Sequence, residues 1–309
     1  MYNPKYIIDV LADNIRKTRN PFGAGNGTVN KWWKKADLPS NGDTLLFTGL
    51  MYQLMPFIKQ ITRHIERFED TRMAEYVWLQ KYVPKLMVKL GFGFMADRKD
   101  KKASTHILTS MVKLLQKSQV NLFYRPKLDC YSGILLYDLG DNENFIAHAE
   151  FVAQKLKKSG IKKIITVDPH TTYALKVLYP KYTGIEFDVK TYFECIDFDA
   201  RDGNSQVTLH DPCFYGRYLE LSHKPREILD RFGIGHVEVR NSGPFTHCCG
   251  GPAESISPSL NREVLSKRYA SLEETGKPIL SMCPVCLGNL QKINADVQDF
   301  SVFLAKYAN

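Results

Sequence analysis

Five of the seven cysteines lie in the second half of this 309-residue chain, and their types and spacing indicate metal binding. Cys213 stands alone, Cys248 and Cys249 are adjacent, and Cys283 and Cys286 form a C-x-x-C pair. Thiolates are soft ligands that bind iron–sulfur clusters, zinc or copper(I). Glycine after the adjacent pair lets the backbone approach sulfur closely and offer N–H donors to it. The pattern therefore predicts a metal centre with thiolate ligands.

Zinc is the main alternative to an iron–sulfur cluster. Structural zinc takes four ligands, typically supplied as two close pairs. The adjacent Cys248 and Cys249 are awkward for a tetrahedral site with one metal ion, and a fifth cysteine is left over. A polynuclear cluster accommodates both features, because one thiolate can bridge two metal ions. We therefore expect an iron–sulfur cluster, and zinc or unliganded thiols remain as alternatives.

The residues around each cysteine group predict how the fold positions it. Strands predicted at residues 207–209 and 279–280 precede Cys213 and Cys283, and a glycine–proline turn follows Cys249. Loops that follow parallel strands gather at one end of an α/β sheet, where ligands usually bind. We expect the three cysteine groups to meet there. The other elements predicted from periodicity and turn residues are strands at 45–47, 122–124, 134–136, 161–167 and 236–239, and helices over 60–120, 225–232 and 260–272.

The two halves of the chain repeat one another in a specific register. In the first half an amphipathic helix ends at Gly160, and a strand and residues 168–171 follow. In the second half a helix ends at Gly276, and a strand and the C-x-x-C pair follow. Upstream, residues 129–133 match residues 247–250. The repeat predicts a duplicated α/β unit in which only the second copy keeps its cysteines.

This duplication leads to a predicted domain organisation. A lead segment covers residues 1–40, a degenerate first domain covers residues 41–202, and a second domain with the complete motif covers residues 203–309. An Asp-Gly-Asn turn marks the last boundary. The predicted fold class is therefore α/β, with two tandem, duplicated domains.

The five-cysteine pattern resembles the cysteine-rich CCG domain. That domain occurs in the B-type subunit of heterodisulfide reductase and in similar subunits of glycerol-3-phosphate, lactate and archaeal succinate dehydrogenases. The flanking residues 210–213 and 247–251 fit this resemblance, and residues 17–23 resemble the stretch before the first such domain in these proteins. The resemblance covers nearly the whole chain. It implies two CCG-type domains, the first of which departs from the motif at almost every ligand position.

The resemblance also implies a cofactor and a function. The implied cofactor is one non-cubane [4Fe–4S] cluster per chain, held by Cys213, Cys248, Cys249, Cys283 and Cys286. The implied function is that of an iron–sulfur oxidoreductase subunit in a heterodisulfide-reductase-like complex, acting on a disulfide or thiol-carrying substrate. No cysteine precedes Cys130, so any ferredoxin-like cluster is expected in a partner subunit. The expected partners are iron–sulfur or flavin subunits of a redox complex.

Two other functions stay open at this point. One is an iron–sulfur accessory subunit of a membrane-peripheral dehydrogenase of the glycerol-3-phosphate, lactate or succinate type, which passes electrons to quinone. The other is an assembly protein stabilised by zinc.

Composition and charge narrow the partners and the location. The chain has 42 Lys+Arg against 33 Asp+Glu, but its basic residues are scattered apart from residues 98–102, which we expect in a solvated loop. No run of interleaved basic and aromatic residues suggests nucleic-acid binding. The longest apolar stretch, residues 45–58, is shorter than the ~20 residues that cross a bilayer, and no signal peptide is visible. We predict a cytoplasmic protein, or one peripheral to the inner face of the membrane.

Weaker candidates surround the main motif. His210 and His247 flank cysteines, and we expect them to donate hydrogen bonds to sulfur or to move protons. His170 is expected to be an exposed loop histidine, and Cys130 and Cys195 are expected in the core.

Three minor features complete the sequence predictions. Asp168, His170 and Cys130 are an alternative small metal site, and Glu254 is expected to be a carboxylate at the start of a helix. Exposed aromatic residues often anchor protein interfaces. The expected docking surface for a partner comprises the exposed parts of the degenerate first half and, in the lead segment, residues 20–23, Trp32 and Trp33.

Overall fold

The structure is a computed structural model that describes residues 4–23, 25–68, 96–201, 205–255 and 257–308. Within these residues, short parallel strands alternate with helices. The elements of the first half are α1 (Pro4–Thr18), α2 (Asn26–Val29), β1 (Thr44–Phe47), α3 (Met51–Phe68), α4 (Arg98–Lys117), β2 (Leu122–Phe123), α5 (Ile134–Asp138), α6 (Asn142–Lys158), β3 (Lys163–Thr166), α7 (Pro169–Tyr173), α8 (Tyr179–Thr183) and β4 (Asp188–Thr191).

The second half repeats the alternation of strands and helices. Its elements are β5 (Gln206–His210), α9 (His223–Arg231), β6 (Gly235–His236), α10 (Pro258–Glu273), β7 (Ile279–Ser281), α11 (Pro284–Leu290), β8 (Gln298–Asp299) and α12 (Phe300–Ala305). Short π-helical turns lie at Ala174–Leu178 and Phe214–Tyr218, and short 3₁₀ turns lie at Trp32–Lys35, Tyr192–Cys195, Gly243–Phe245 and Gly251–Ser255.

Each half of the described chain forms a four-stranded parallel sheet with the same strand order. The first sheet runs β2-β1-β3-β4 and the second runs β6-β5-β7-β8. In both, the first and third strands of the half pair at the centre, with Leu45 opposite Ile164 and Leu209 opposite Leu280. This identity of order confirms the predicted α/β fold of two duplicated units.

The central strands form because they are apolar on both faces. Leu45, Leu46 and Phe47 are all buried, as expected for a parallel strand covered by helices on both sides. One hydrophobic cluster contains side chains of both sheets, including Leu46 and Leu280. The core therefore continues across the position at which the domains were predicted to divide, and that boundary stays a prediction.

Helix α6 shows how local sequence specifies an element. The Asp141 side chain accepts a hydrogen bond from the Asn144 N–H and caps the helix start. The predicted apolar face is buried, and Gly160, just beyond the helix end, has a φ of 74° that a residue with a side chain rarely adopts. The helix begins and ends where the caps place it.

One predicted strand, at residues 134–136, is wrong. These residues begin α5, which follows Gly133 with its φ of 85°. A short apolar run does not by itself distinguish a buried strand from a buried helix turn. The positive φ at Gly133 redirects the chain, and Ile134 and Leu136 are buried as helix residues.

The sheet edges also differ from expectation. Strands β4 and β8 were not predicted, because each exposes polar side chains and lies at the edge of its sheet. The strand predicted at residues 236–239 is reduced to β6, at the opposite edge. Short polar edge strands give little hydrophobic pattern but offer little surface for unwanted pairing.

Two further predictions concern the helical region of the first half. Of the helix predicted over residues 60–120, α3 and α4 account for the described parts, and residues 69–95 lie outside the described residues. Residues 98–102 form the first turns of α4 rather than a loop, because Asp97 accepts a hydrogen bond from the Lys99 N–H and caps the helix. None of the helices described here is long and apolar enough to cross a membrane.

The lead segment packs onto the first half. In α1, Ala12 and Ile15 are buried in the cluster that also contains the apolar face of α6. Trp32 is 3% exposed and its ring contacts that of Tyr124 edge-on, with centroids 5.1 Å apart. The expectation that Trp32 is an exposed docking residue is therefore wrong, because it fills the protein's own core, and Asn20 is fully buried as well.

Candidate metal centre

The central strands of the second sheet carry two of the three cysteine groups to one place. Cys213 follows β5 and Cys283 follows β7, and these two strands are neighbours. Cys286 lies in the first turn of α11. The chain leaves β5 and β7 in opposite directions across the sheet, and such a switch point forms a crevice at the strand ends. Cys248 and Cys249 enter this crevice from the turn after Gly243–Phe245.

The structure brings all five cysteines together. Successive thiol contacts link Cys213, Cys248, Cys249, Cys286 and Cys283. Three of them are almost completely buried, with exposures of 3% for Cys249, 1% for Cys283 and 3% for Cys286. Cys213 and Cys248 are partly exposed. The cluster of five thiols is therefore buried on its inner side and accessible to solvent on its outer side.

Backbone N–H groups and glycines shape the turn that holds the adjacent pair. The Gly250 N–H donates to Cys248 Sγ at 3.3 Å, and the Gly251 N–H donates to Cys249 Sγ at 3.5 Å. Gly250 has a φ of 87°. A Cβ atom on Gly251 would lie 2.2 Å from Val285 Cγ1, so the turn can approach α11 only without a side chain.

The thiols influence each other's protonation. Contact with Cys213 and Cys249 lowers the pKa of the Cys248 thiol well below its usual value. Contact with Cys248 raises the pKa of Cys213 and of Cys249 in turn, because adjacent thiolates repel each other. A metal cation that binds the deprotonated sulfurs would remove this repulsion.

His210 lies beside the buried thiols at the end of β5. A ring nitrogen of His210, Cys249 Sγ and Cys286 Sγ all lie within 4.8 Å of one another. His210 Nδ1 accepts a hydrogen bond from Arg268 Nε at 3.0 Å. Burial and the charge of Arg268 lower the pKa of His210 to about 3, so the imidazole is neutral. Sequence reasoning missed Arg268, because it lies inside α10, between two cysteine groups but adjacent to neither.

His170 contacts the thiols from the first half of the chain. It is 5% exposed, and its Nδ1 lies 3.8 Å from Cys283 Sγ and 3.5 Å from Asp168 Oδ1. Burial alone would lower the pKa of His170, but the charge of Cys283 and a hydrogen bond with Asp168 raise it well above the usual value. The predicted exposed loop position is wrong, because α7 packs against the turn at Phe214–Tyr218.

The contact between His170 and Cys283 also changes the pKa of the Cys283 thiol. Burial raises the pKa of Cys283, but contact with Cys286 and the charge of His170 lower it, with a net value of about 6. A cationic imidazole thus stabilises the thiolate of one candidate ligand.

Asp138, the last residue of α5, is a second contribution from the first half. Burial raises the pKa of its carboxyl group to about 6, while the charge of His170 lowers it and that of Cys283 raises it. No motif or spacing marks Asp138, since it ends a short helix that the sequence pattern assigned to a strand.

Residues 207–291 match the cysteine-rich domain family CCG. The chain carries a CCG domain. This match covers β5 to α11 and therefore includes all five clustered cysteines. It confirms the resemblance that the spacing and flanks of the cysteines indicated.

Curated relatives extend the match beyond the CCG domain. A "Probable membrane-anchored ferredoxin" of Chromohalobacter salexigens is 24% identical over 298 residues, which is 92% of this chain and 38% of that protein. The "Probable iron-sulfur-binding oxidoreductase FadF" of Bacillus subtilis is 30% identical over 196 residues, which is 60% of this chain and 28% of that protein.

A third relative carries the enzyme name that the motif suggested. It is one subunit of the "Dihydromethanophenazine:CoB--CoM heterodisulfide reductase" of Methanosarcina barkeri, and it is 31% identical over 151 residues, which is 44% of this chain and 37% of that protein. The chain spans less than two fifths of the length of each of these three relatives.

In the half that precedes the CCG domain, a buried carboxylate connects the residues that follow β1 and β2. Asp129 is fully buried at the ends of the first sheet's strands. Its Oδ1 accepts hydrogen bonds from the N–H groups of Thr48 and Gly49, and its Oδ2 accepts from the hydroxyls of Thr48 and Tyr124, the last two at 2.6 Å. Asn30 Nδ2 is a further donor at 3.4 Å. In this half a buried polar network therefore holds the ends of β1 and β2 together.

The two cysteines outside the CCG motif, Cys130 and Cys195, lie apart from the cluster of five thiols. Cys130 is buried among apolar side chains and accepts a hydrogen bond from Lys155 Nζ at 3.3 Å. Cys195 is partly buried at the edge of the core. In the described part of the chain, the one group of three close candidate ligands is His210, Cys249 and Cys286, so Asp168, His170 and Cys130 form no such group.

Two further polar residues lie close to the CCG cysteines in sequence. His247 is exposed to solvent. Glu254 lies in a 3₁₀ turn, where its carboxylate forms an ion pair with Lys292.

Proposed function

We propose that the five cysteines of the CCG domain hold one non-cubane [4Fe–4S] cluster, and that the chain is an iron–sulfur subunit of a heterodisulfide-reductase-like redox complex. The observation that carries this proposal is the convergence of the five thiols of Cys213, Cys248, Cys249, Cys283 and Cys286 in one crevice. The donor set is soft throughout and has one thiol more than a tetrahedral zinc ion needs. Backbone N–H groups already point at two of the sulfurs, which suits a sulfur-rich cluster.

The buried and the partly exposed cysteines have different roles in the proposed site. Cys249, Cys283 and Cys286 hold the cofactor on the buried side and exclude water, while Cys213 and Cys248 face the side from which a substrate approaches. When bound, the cluster supplies one-electron transfer to or from a sulfur substrate. Cleavage of a disulfide consumes two electrons and yields two thiolates, so two electrons must enter from a partner.

The open side of the crevice supports a disulfide or thiol-carrying substrate or a partner subunit. Tyr218 is 56% exposed at the end of the turn that follows Cys213, and Phe245, at the end of the turn that precedes Cys248 in sequence, is 79% exposed. Exposed aromatic side chains at the rim of a site are common anchors for binding. The partner is expected to be an iron–sulfur or flavin subunit, and we place the complex in the cytoplasm or on the inner face of the membrane.

Metal analysis of the anaerobically purified chain tests the cofactor. We expect about four iron and about four sulfide per chain, with visible charge-transfer absorption. Stoichiometric zinc without visible absorption would overturn the iron–sulfur proposal and favour the zinc-stabilised assembly protein.

A second candidate is an accessory subunit of a membrane-peripheral dehydrogenase that passes electrons to quinone. The name of the Chromohalobacter salexigens relative, a membrane-anchored ferredoxin, favours it. The purified complex distinguishes the two candidates. Disulfide-dependent oxidation of the reduced complex supports the first proposal, and oxidation by a soluble quinone analogue without disulfide reduction supports the second.

A further inference from the structure

A buried arginine outside the cysteine motif orients the histidine beside the thiols. Arg268, on α10, is 1% exposed and its guanidinium is held by three acceptors. Its Nε donates to His210 Nδ1 at 3.0 Å, its Nη1 donates to the Asn241 carbonyl at 2.9 Å, and its Nη2 lies 3.4 Å from Thr246 Oγ1. The position of the guanidinium is therefore fixed from three directions.

This contact determines the tautomer of His210. A guanidinium group has donors only, so His210 Nδ1 must supply a lone pair. A neutral imidazole that accepts at Nδ1 carries its hydrogen on Nε2. His210 Nε2 is fully buried and has no hydrogen-bond partner among the described residues. A buried N–H without a partner is costly, which indicates that a bound group completes it.

The imidazole lies against the inner side of the proposed cluster site. One nitrogen of the His210 ring lies within 4.8 Å of both Cys249 Sγ and Cys286 Sγ. Because Nδ1 is occupied by Arg268, the nitrogen available to a bound group is Nε2. In the proposed site the atoms offered to this N–H would be sulfur, from the cysteines or from a sulfide.

We propose that Arg268 is a positioning residue that makes His210 a hydrogen-bond donor to cluster sulfur and prevents it from acting as a metal ligand. This inference rests on the proposed function, since it concerns the cluster held by the five cysteines. An N–H donor stabilises the more negative, reduced state of an iron–sulfur cluster. A histidine binds a metal through a lone pair, and Arg268 takes the lone pair at Nδ1 and keeps the hydrogen on Nε2.

The proposal also concerns metal selectivity. Without Arg268, His210 is free to present an Nε2 lone pair beside two thiolates. Two cysteines, a histidine and one further cysteine are a ligand set that zinc accepts. Arg268 therefore favours iron–sulfur occupancy by removing the histidine from the ligand set.

The reduction potential of the cluster tests the donor role in the full chain. We expect His210→Leu to keep iron but to shift the midpoint potential to more negative values and to alter the electron paramagnetic resonance spectrum. His210→Gln, whose amide can accept from Arg268 and donate to sulfur, restores both towards the unsubstituted protein. His148→Leu is the matched control, because His148 is a buried histidine that contacts the Tyr131 carbonyl, and it leaves both readouts unchanged.

Zinc binding to the metal-free chain tests the selectivity. Arg268→Met should bind zinc roughly tenfold more tightly than the unsubstituted chain, and adding His210→Leu to Arg268→Met should abolish the gain. If Arg268→Met does not fold, the two His210 variants still decide the donor role.

The outcomes separate this inference from the proposed function. An unsubstituted chain that binds no iron refutes the proposed function. A chain that holds its cluster but shows the same potential and spectrum in His210→Leu refutes the inference and leaves the proposed function standing. Zinc affinity that does not change in a folded Arg268→Met variant refutes the selectivity role.

Discussion

At the scale of single residues, the site depends on side chains that the cysteine motif does not include. His170 occupies the place in the first copy that corresponds to a variable residue between the two cysteines of the C-x-x-C pair. This is not a ligand position, but the imidazole of His170 lies against Cys283 and its charge lowers the pKa of that thiol. The copy that lost its ligands thus contributes directly to the site of the copy that kept them.

Substitution of single cysteines distinguishes ligands from core thiols. Cys249→Ser should lose or convert the cluster, because a hydroxyl group is a harder and poorer ligand for iron than a thiolate. Cys130→Ser is the matched control, since Cys130 is equally buried but contacts Lys155 instead of the thiol group. Iron and sulfide per chain are the measurement. Equal losses of iron in both variants would contradict the assignment of one cluster to the CCG domain.

Asp129 should make stability depend on pH. Burial raises the pKa of this carboxyl group to about 6, against roughly 3.9 in an unfolded chain. Between these values the folded state binds more protons than the unfolded state, so the free energy of unfolding falls as the pH rises through this window. Asp129→Asn keeps an acceptor for the Thr48 and Gly49 N–H groups and removes the titration.

Denaturant unfolding at several pH values checks this expectation, with both proteins in the same metal state. As the pH rises from 4 to 6, the free energy of unfolding of the unsubstituted chain should fall by up to about 3 kcal/mol more than that of Asp129→Asn. Parallel stability curves for the two proteins would show that Asp129 does not titrate in this range.

At the scale of elements, strand order decides where the site lies. Both sheets have their switch point between the first and third strands of the half, at β1 and β3 or at β5 and β7. In the second sheet the crevice holds Cys213 and Cys283, and in the first Gly49, after β1, packs against Thr171, after β3, while Asp129 binds the residues that follow β1 and β2. The same architecture therefore supports a metal site or a polar network, according to the residues that follow each strand.

The turn after the adjacent cysteines should be intolerant of a side chain. Gly251→Ala places a Cβ atom 2.2 Å from Val285 Cγ1, so the turn or α11 must move. Both carry candidate ligands, and we expect lower iron content and faster loss of visible absorption in air. Gly27→Ala is the control, because a Cβ atom on exposed Gly27 meets nothing within 4 Å. Unchanged iron content in Gly251→Ala would mean that the turn is not held against α11.

At the scale of the whole molecule, the two halves share one core and several polar contacts. Helices α3 and α11 pack together, and a Cβ atom on Gly288 would lie 2.7 Å from Met55 Cε. Tyr52 on α3 donates a hydrogen bond from its hydroxyl to Asp299 Oδ2 at 2.6 Å. The first half therefore supports α11, the helix that carries Cys286.

Loss of the hydrogen bond from Tyr52 to Asp299 should lower the free energy of unfolding of the whole chain. Burial raises the pKa of Asp299 to about 6, and the Tyr52 hydroxyl is one of the groups that lower it. Tyr52→Phe removes a donor from a buried carboxyl group, and the free energy of unfolding should fall by about 1–3 kcal/mol, more above pH 6 where the carboxylate is ionised. Tyr182→Phe, at a partly buried tyrosine, should change it by less than about 0.5 kcal/mol. Similar losses in both variants would contradict the role of the Asp299 contact.

The sequence by itself determined the motif and the central elements. The spacing of Cys213, Cys248 and Cys283, with the turn residues beside them, indicated that the three cysteine groups meet at one site. The buried strand at residues 45–47 and helix α6 were also predictable. These features depend on local periodicity, caps and turns, which a short stretch of sequence carries completely.

Only the tertiary structure decided which other side chains meet the thiols. His170 and Asp138 lie far from the five clustered cysteines in sequence, Arg268 lies inside a helix between two cysteine groups, and the packing of α7, α5 and α10 brings all three to the crevice. Trp32 became a core residue for the same reason. Such contacts depend on how two sheets and their helices pack to fill a shared core, and no single stretch of sequence contains that information.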